Sequence, residues 1–290
     1  MVRTLLSDSR CDNLTLRELE FLPSVGAGVY QKARAGANLA RGRQQSTFLL
    51  EMKLRILSWN IHKAIGGIDR RYSLSRVAEV IAALAPDIAL LQEVSDGWPA
   101  AGGDLQGERL SEMTGLSHLA FAPEHRFRVG GYGNAILSRF PIIDRRRIDL
   151  KIGWRKQRSA LQAVLNIPGS SPRKRLVVGS LHLGLAEAER RSQLKRLFEA
   201  DDLLISADAS VLAGDYNDVF GTLEHRFFRE KGFTRAGLRR RSFPAVMPVF
   251  CLDGIYTRGL QLLDSATPNE GNARWASDHL PLVATFRLPL

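Results

Sequence analysis

From Leu54 onward, short apolar runs alternate with segments of helical spacing. Residues 54–59 read as a strand, and residues 74–84 as a helix with Leu74, Val77, Ala78 and Ile81 on one face. Pro86 stops that helix, and residues 88–91 read as a short buried strand ending in Gln92-Glu93. Residues 109–114 look helical, whereas residues 134–137, 142–150, 160–167 and 176–183 read as strands. Residues 186–200 form an amphipathic helix, with Leu194, Leu197 and Phe198 in its apolar stripe and Glu187 spaced to pair with Arg191. A strand at 210–213 feeds Gly214-Asp215-Tyr216-Asn217, and short strands at 254–257, 260–263 and 281–286 close the chain. Strands outnumber helices and follow one another in hairpin-like succession. The pattern predicts an α/β (α+β) fold of four layers, α/β/β/α: two mixed β-sheets packed face to face with helices outside.

The first 51 residues break the pattern. They mix Ser, Gly, Arg and Gln with short apolar stretches, and read as a flexible N-terminal extension or as a start assigned too far upstream. The functional domain is expected at residues 52–290. No run of eighteen apolar residues exists to span a membrane, and the first thirty residues do not resemble an export signal. Two distant cysteines, Cys11 and Cys251, make neither a disulfide framework nor a thiolate metal site, which fits a cytoplasmic protein.

Charge changes the picture more than composition does. With 41 Lys+Arg against 30 Asp+Glu, the chain carries a net charge of +11. Its cations cluster at Arg145-Arg146-Arg147, Arg155-Lys156-Gln157-Arg158, Arg173-Lys174-Arg175 and Arg239-Arg240-Arg241. Such clusters attract nucleic acid, anionic lipid headgroups or phosphorylated small molecules, and serve equally as solvated loop faces.

The candidate chemistry sits where apolar runs end. Glu93 is a carboxylate of the kind that holds Mg²⁺ while leaving room for a substrate phosphate, with Asp278 as a direct or outer partner; the alternative is a solvated strand cap. Asp215 follows Gly214 and suits a base that takes a proton from water, with Asn217 two residues on to hold a phosphoryl oxygen. The same residues also make ordinary Asx turns. His182 and His279 flank strand-like segments and can each donate to phosphate, and Asp253 is placed to orient one imidazole and keep it cationic. His62 is a weaker candidate, and His118, His125 and His225 have no comparable company. No His-x-x-x-His pair supports a zinc site.

The ordered series Trp59-Asn60-Ile61-His62, Gln92-Glu93, Gly133-Asn134-Ala135-Ile136-Leu137-Ser138-Arg139, His182-Leu183, Gly214-Asp215-Tyr216-Asn217, Leu252-Asp253 and Ser277-Asp278-His279 resembles the endonuclease/exonuclease/phosphatase superfamily. Local stretches such as Asn60-Ile61-His62-Lys63 and Ser242-Phe243-Pro244-Ala245 are most similar to bacterial members encoded beside cardiolipin synthase. The resemblance covers about residues 52–290. It implies a Mg²⁺-dependent phosphodiesterase or phosphatase, with Mn²⁺ able to substitute. Glu93 would be the principal metal ligand, with Asn60 and Asp278 close to the ion. Asp215 would activate water, Asn217 would hold water and phosphate, and His182 with the Asp253–His279 pair would bind phosphate. Arg158 is a candidate phosphate contact or a strand-end surface residue, and Asn134 a phosphate contact or a structural hydrogen-bonding residue. His182 counts against abasic-site repair, whose enzymes tend to place Asn there. Expected partners are a phosphate-ester substrate and, peripherally, an anionic membrane. An idle binding module docked on nucleic acid or membrane is the alternative reading.

Overall fold

The computed structural model describes residues 51–168, 175–200 and 202–289; the extension expected at residues 1–51 and the cations Arg173 and Lys174 lie essentially outside that range. Among the described residues, twelve strands form two six-stranded sheets. The first sheet contains β1 (Glu51–Asn60), β2 (Ile88–Asp96), β3 (His118–Arg126), β4 (Gly131–Ser138), β11 (Gln261–Ala266) and β12 (Leu282–Pro289), in the order β11-β12-β1-β2-β4-β3. The second contains β5 (Ile142–Asp149), β6 (Ser159–Leu165), β7 (Leu176–His182), β8 (Ala209–Asp215), β9 (Thr234–Arg235) and β10 (Asp253–Arg258), in the order β5-β6-β7-β8-β10-β9. Both are mixed, since β1 runs parallel to β2 and β7 parallel to β8 while the remaining pairs are antiparallel. Helices α1 (Leu74–Leu84) and α2 (Gln106–Thr114) cover the first sheet, and α3 (Glu187–Ala200) the second.

Strand periodicity explains the layering. Along β1, Leu54 and Ile56 enter the core between the sheets, whereas Leu57 and Trp59 pack with Val77 and Ile81 of α1. On β8, Ala209, Val211 and Ala213 face the inter-sheet core, while Leu212 joins Leu194, Leu197 and Phe198 of α3 on the outer side. Ser73 caps α1 by accepting from the Arg76 N–H, and Ala85 ends it in a left-handed conformation just before Pro86. Among the described residues no helix is long and apolar enough to cross a membrane.

Two elements depart from the sequence reading. Strand β2 does not stop at Leu91; it runs to Asp96 through a bulge whose register shifts between Leu91 and Val94. Strand β3 was not expected at all, because Pro123 lies within it; the strand tolerates proline at the sheet edge, beside a second register shift between Pro123 and His125. The Arg145-Arg146-Arg147 run lies on the exposed edge strand β5, within the strand expected at residues 142–150, where charge guards an open sheet edge.

Candidate active site

The inner faces of the strands lead directly to the polar cluster. Asn60 continues the series Leu54, Ile56 and Ser58; His182 continues Val178 and Ser180; Asp215 continues Val211 and Ala213. Register then aligns them, with Asn60 opposite Gln92 on the first sheet and His182, Asp215 and Asp253 side by side on the second. The two sheets meet over this end. Asn60 Nδ2 donates to Asp215 Oδ2 at 3.2 Å, Gln92 Nε2 donates to Ser180 Oγ at 3.0 Å, and Trp59 Nε1 donates to the His279 carbonyl at 2.8 Å.

Asp215 uses its two oxygens differently. Oδ1 accepts the Asn217 N–H at 3.0 Å, which is the Asx turn, while Oδ2 faces His182 Nε2 at 3.4 Å and His279 Nε2 at 3.7 Å. Burial pushes its carboxyl upward, against the pull of the His279 charge. Asn217, with φ of 50°, donates its side-chain amide to the Leu183 carbonyl at 2.9 Å and so ties the Asp215 turn to the end of β7.

The two imidazoles are tuned in opposite directions. Burial alone would lower His279, but the charges of Asp253 and Asp215 and the 2.9 Å hydrogen bond from Nδ1 to Asp253 raise it to about 10, so it is a cation. Ser242 Oγ donates to the same Asp253 oxygen. His182 is fully enclosed, and burial together with the Arg158 charge holds it well below the usual imidazole range. Arg158 Nη1 lies 3.1 Å from His182 Nδ1, and an arginine only donates; Nδ1 is therefore the acceptor, and the proton of the neutral ring sits on Nε2, facing Asp215.

The ordered set matches a known family. The family model described as "Endonuclease/Exonuclease/phosphatase family" aligns with residues 57–279. The chain belongs to this family. Its members hydrolyse phosphate esters, and the chain is an enzyme of that class. The Escherichia coli (strain K12) uncharacterized protein YbhP is 30% identical over 253 residues, covering 82% of this chain and 98% of YbhP. Among solved structures, the endonuclease/exonuclease/phosphatase from Beutenbergia cavernae superposes with a TM-score of 0.64 at 24% identity, over 81% of this chain and 72% of that one. ANGEL2, a 2′,3′-cyclic phosphatase, gives 0.63 at 16% identity, over 83% and 96%. These likenesses concern the fold.

Glu93 lies not at a strand end but inside the β2 bulge, in a left-handed conformation with φ of 53° that a non-glycine residue adopts at a cost. Burial would raise its carboxyl, yet the charge and hydrogen bond of Lys63, with His62 and Arg158 beyond, keep it below the ordinary value. Lys63 reaches it from a turn in which His62, Lys63 and Ala64 all have positive φ. Asp278 Oδ1 lies 3.7 Å from His62 Nδ1 of that turn. Glu93 and Asp278 carry carboxylate oxygens and Asn60 an amide oxygen, which accepts the His62 N–H at 3.1 Å; these are the donor types a hard divalent ion takes. The residues fit such an ion. Atoms of Asp215, Asp253 and His279 also lie within 4.8 Å of one another, a spacing open to a metal. His279, however, is protonated and has Nδ1 committed to Asp253, so it has no lone pair to offer; an ion-pair network describes that trio better.

Asn134 and Arg158, each weighed between a phosphate contact and another role, are both enclosed. Asn134 is wholly buried and donates to the Ser159 carbonyl at 2.9 Å, joining the sheets behind the cluster. Arg158 is buried as well, and its Nη1 is shared between His182 and Glu124 Oε2 at 2.9 Å; it orients the imidazole rather than meeting solvent. Glu124 went unnoticed in the sequence because it follows Pro123 in the strand that proline disguised. It also accepts the Ser159 N–H at 3.0 Å. Lys63 and Ser242 were likewise missed as partners, although both fall within quoted motifs. His125 packs edge-on against Phe127 with centroids 4.7 Å apart and has no part in the cluster.

Proposed function

We propose that this enzyme is a Mg²⁺-dependent phosphodiesterase or phosphatase, with Mn²⁺ as a working substitute. The observation that carries the reading is the convergence of a neutral and a cationic imidazole on one oxygen of a buried aspartate. The Mg²⁺ held by Glu93, with Asn60 and Asp278, would supply charge stabilisation of a phosphoryl oxygen. Asp215 Oδ2 accepts the proton of the attacking water, and its burial gives it the basicity to do so. His279, kept cationic by Asp253, and His182, donating from Nε2, hold the non-bridging oxygens as negative charge grows on them. Asn217 fixes the turn that aims Asp215. That ANGEL2 is a 2′,3′-cyclic phosphatase agrees with phosphate-ester chemistry on this fold. The cysteine usage supports a cytoplasmic setting.

The test is hydrolysis of bis-p-nitrophenyl phosphate and p-nitrophenyl phosphate with Mg²⁺ or Mn²⁺, beside an Asp215→Asn control. Metal-dependent turnover that the control abolishes is the expected result. Absence of turnover with both esters and both metals, or an unimpaired control, would overturn the reading.

A further inference from the structure

The loops around the site carry an unusual surface. Arg239 Nη2 binds the carbonyls of Asp218, Val219 and Cys251, which locks loop 218–222 to segment 235–251. Segment 235–251 in turn meets segment 274–280, through Ala245 N–H to the Asp278 carbonyl at 2.7 Å and Leu280 N–H to the Ser242 carbonyl at 2.8 Å. Gly66 and Gly67 press against the backbone of Trp275, Ser277 and Asp278, so closely that a Cβ on either would collide. The four segments make one continuous rim beside His279. Large apolar side chains stand out along it: Ile68 (37% exposed), Phe220 (81%), Leu238 (77%), Met247 (68%), Phe250 (42%) and Trp275 (44%). Between them lie the exposed arginines Arg70, Arg71, Arg240, Arg241 and Arg274.

We propose that this rim docks on an anionic phospholipid bilayer, with the apolar tips entering the headgroup–acyl boundary and the arginines meeting lipid phosphates. Charge selects the partner. Of the carboxylates on these segments, Asp69 is paired with Arg76, Asp218 caps the Thr222 and Leu223 N–H groups, and Asp278 belongs to the site. The rim is therefore positive, and a two-fold pairing with a second copy would set arginine against arginine. Nucleic acid would engage the arginines but gives aliphatic tips such as Ile68, Leu238 and Met247 nothing to enter. A negatively charged bilayer satisfies both kinds of side chain. Docking does not depend on catalysis. The hydrolytic reading is needed only for its corollary, that the site then faces a lipid headgroup phosphate.

The experiment is co-sedimentation of the full chain with vesicles of phosphatidylcholine alone or mixed with phosphatidylglycerol, at low and high salt. A single-stranded DNA oligonucleotide serves as competitor, and bis-p-nitrophenyl phosphate turnover is followed separately. The parent should bind mixed vesicles and leave neutral ones. Replacing the tips together (Phe220→Ser, Leu238→Ser, Met247→Ser) should weaken vesicle binding by about tenfold or more, with melting and ester turnover unchanged. Arg240→Ala/Arg241→Ala should weaken it independently. Undiminished binding by the Ser variant, displacement from vesicles by the oligonucleotide at equal phosphate, or a free-solution dimer that the Ser substitutions dissociate would each overturn the proposal. Vesicle binding without ester turnover would sustain docking while rejecting the hydrolytic reading.

Discussion

Arg158 and His182 lie 3.1 Å apart inside the protein, and the arginine can only donate. That contact fixes the imidazole as a neutral ring with its proton on Nε2, on the side of Asp215. Arg158→Ala frees the ring to adopt either tautomer or to rotate. Turnover should fall about a hundredfold, the usual effect of losing one well-placed donor, with a much smaller change in KM. Steady-state kinetics on bis-p-nitrophenyl phosphate measures both. An equal loss in KM alone would mean that Arg158 serves ground-state binding.

Asp253 acts through His279, and a double-mutant cycle tests it. His279→Ala should cost turnover about a hundredfold to a thousandfold, and Asp253→Asn less, because it weakens the ion pair while leaving the ring in place. The combination should be little worse than His279→Ala alone. Additive losses would give Asp253 a separate role.

Glu124 links protonation to stability. Burial raises its carboxyl to about 7, despite the Arg158 charge and the Ser159 N–H, from an ordinary value of 4.5. Between about 4.5 and about 7 the folded chain holds a proton that the unfolded chain releases. Its stabilising contribution is thus complete below about 4.5 and lost as pH rises through about 7. Glu124→Gln mimics the protonated form at every pH. The Tm of this variant relative to the parent should therefore climb across that window, and a constant gap in calorimetry would show that Glu124 keeps one protonation state.

Glu93→Ala should abolish metal-dependent turnover in a chain that still folds. The parent should also gain Tm on adding Mg²⁺, by mass action on the folded state, whereas the variant should not. Chelation should silence the parent, and Mg²⁺ or Mn²⁺ should restore it. Near-normal turnover with an unchanged metal requirement in Glu93→Ala would remove Glu93 from the metal site.

Which polar residues would gather was legible because strand periodicity reaches them without interruption. Asn60, His182 and Asp215 each extend an inner-facing apolar series, so the pattern that built the core also aimed the side chains. The pairings across the two sheets were not legible. Arg158 just before β6, Glu124 on β3 and His182 on β7 meet only after a proline-containing edge strand finds its register. Nor does a local pattern announce a bulge: Glu93 looked like a strand terminus because a strand written with one residue too many reads as one that has ended.

Strand β12 lies between β11 and β1, and the Ser277 hydroxyl just before it donates to the Asn60 carbonyl at 2.7 Å. Residues from near the start and near the finish of the domain must therefore meet before the site exists. Seating of the Asp278-His279 segment is thus tied to the closure of the first sheet, so loosening β12 from β1 would disturb the site before it disturbs the second sheet.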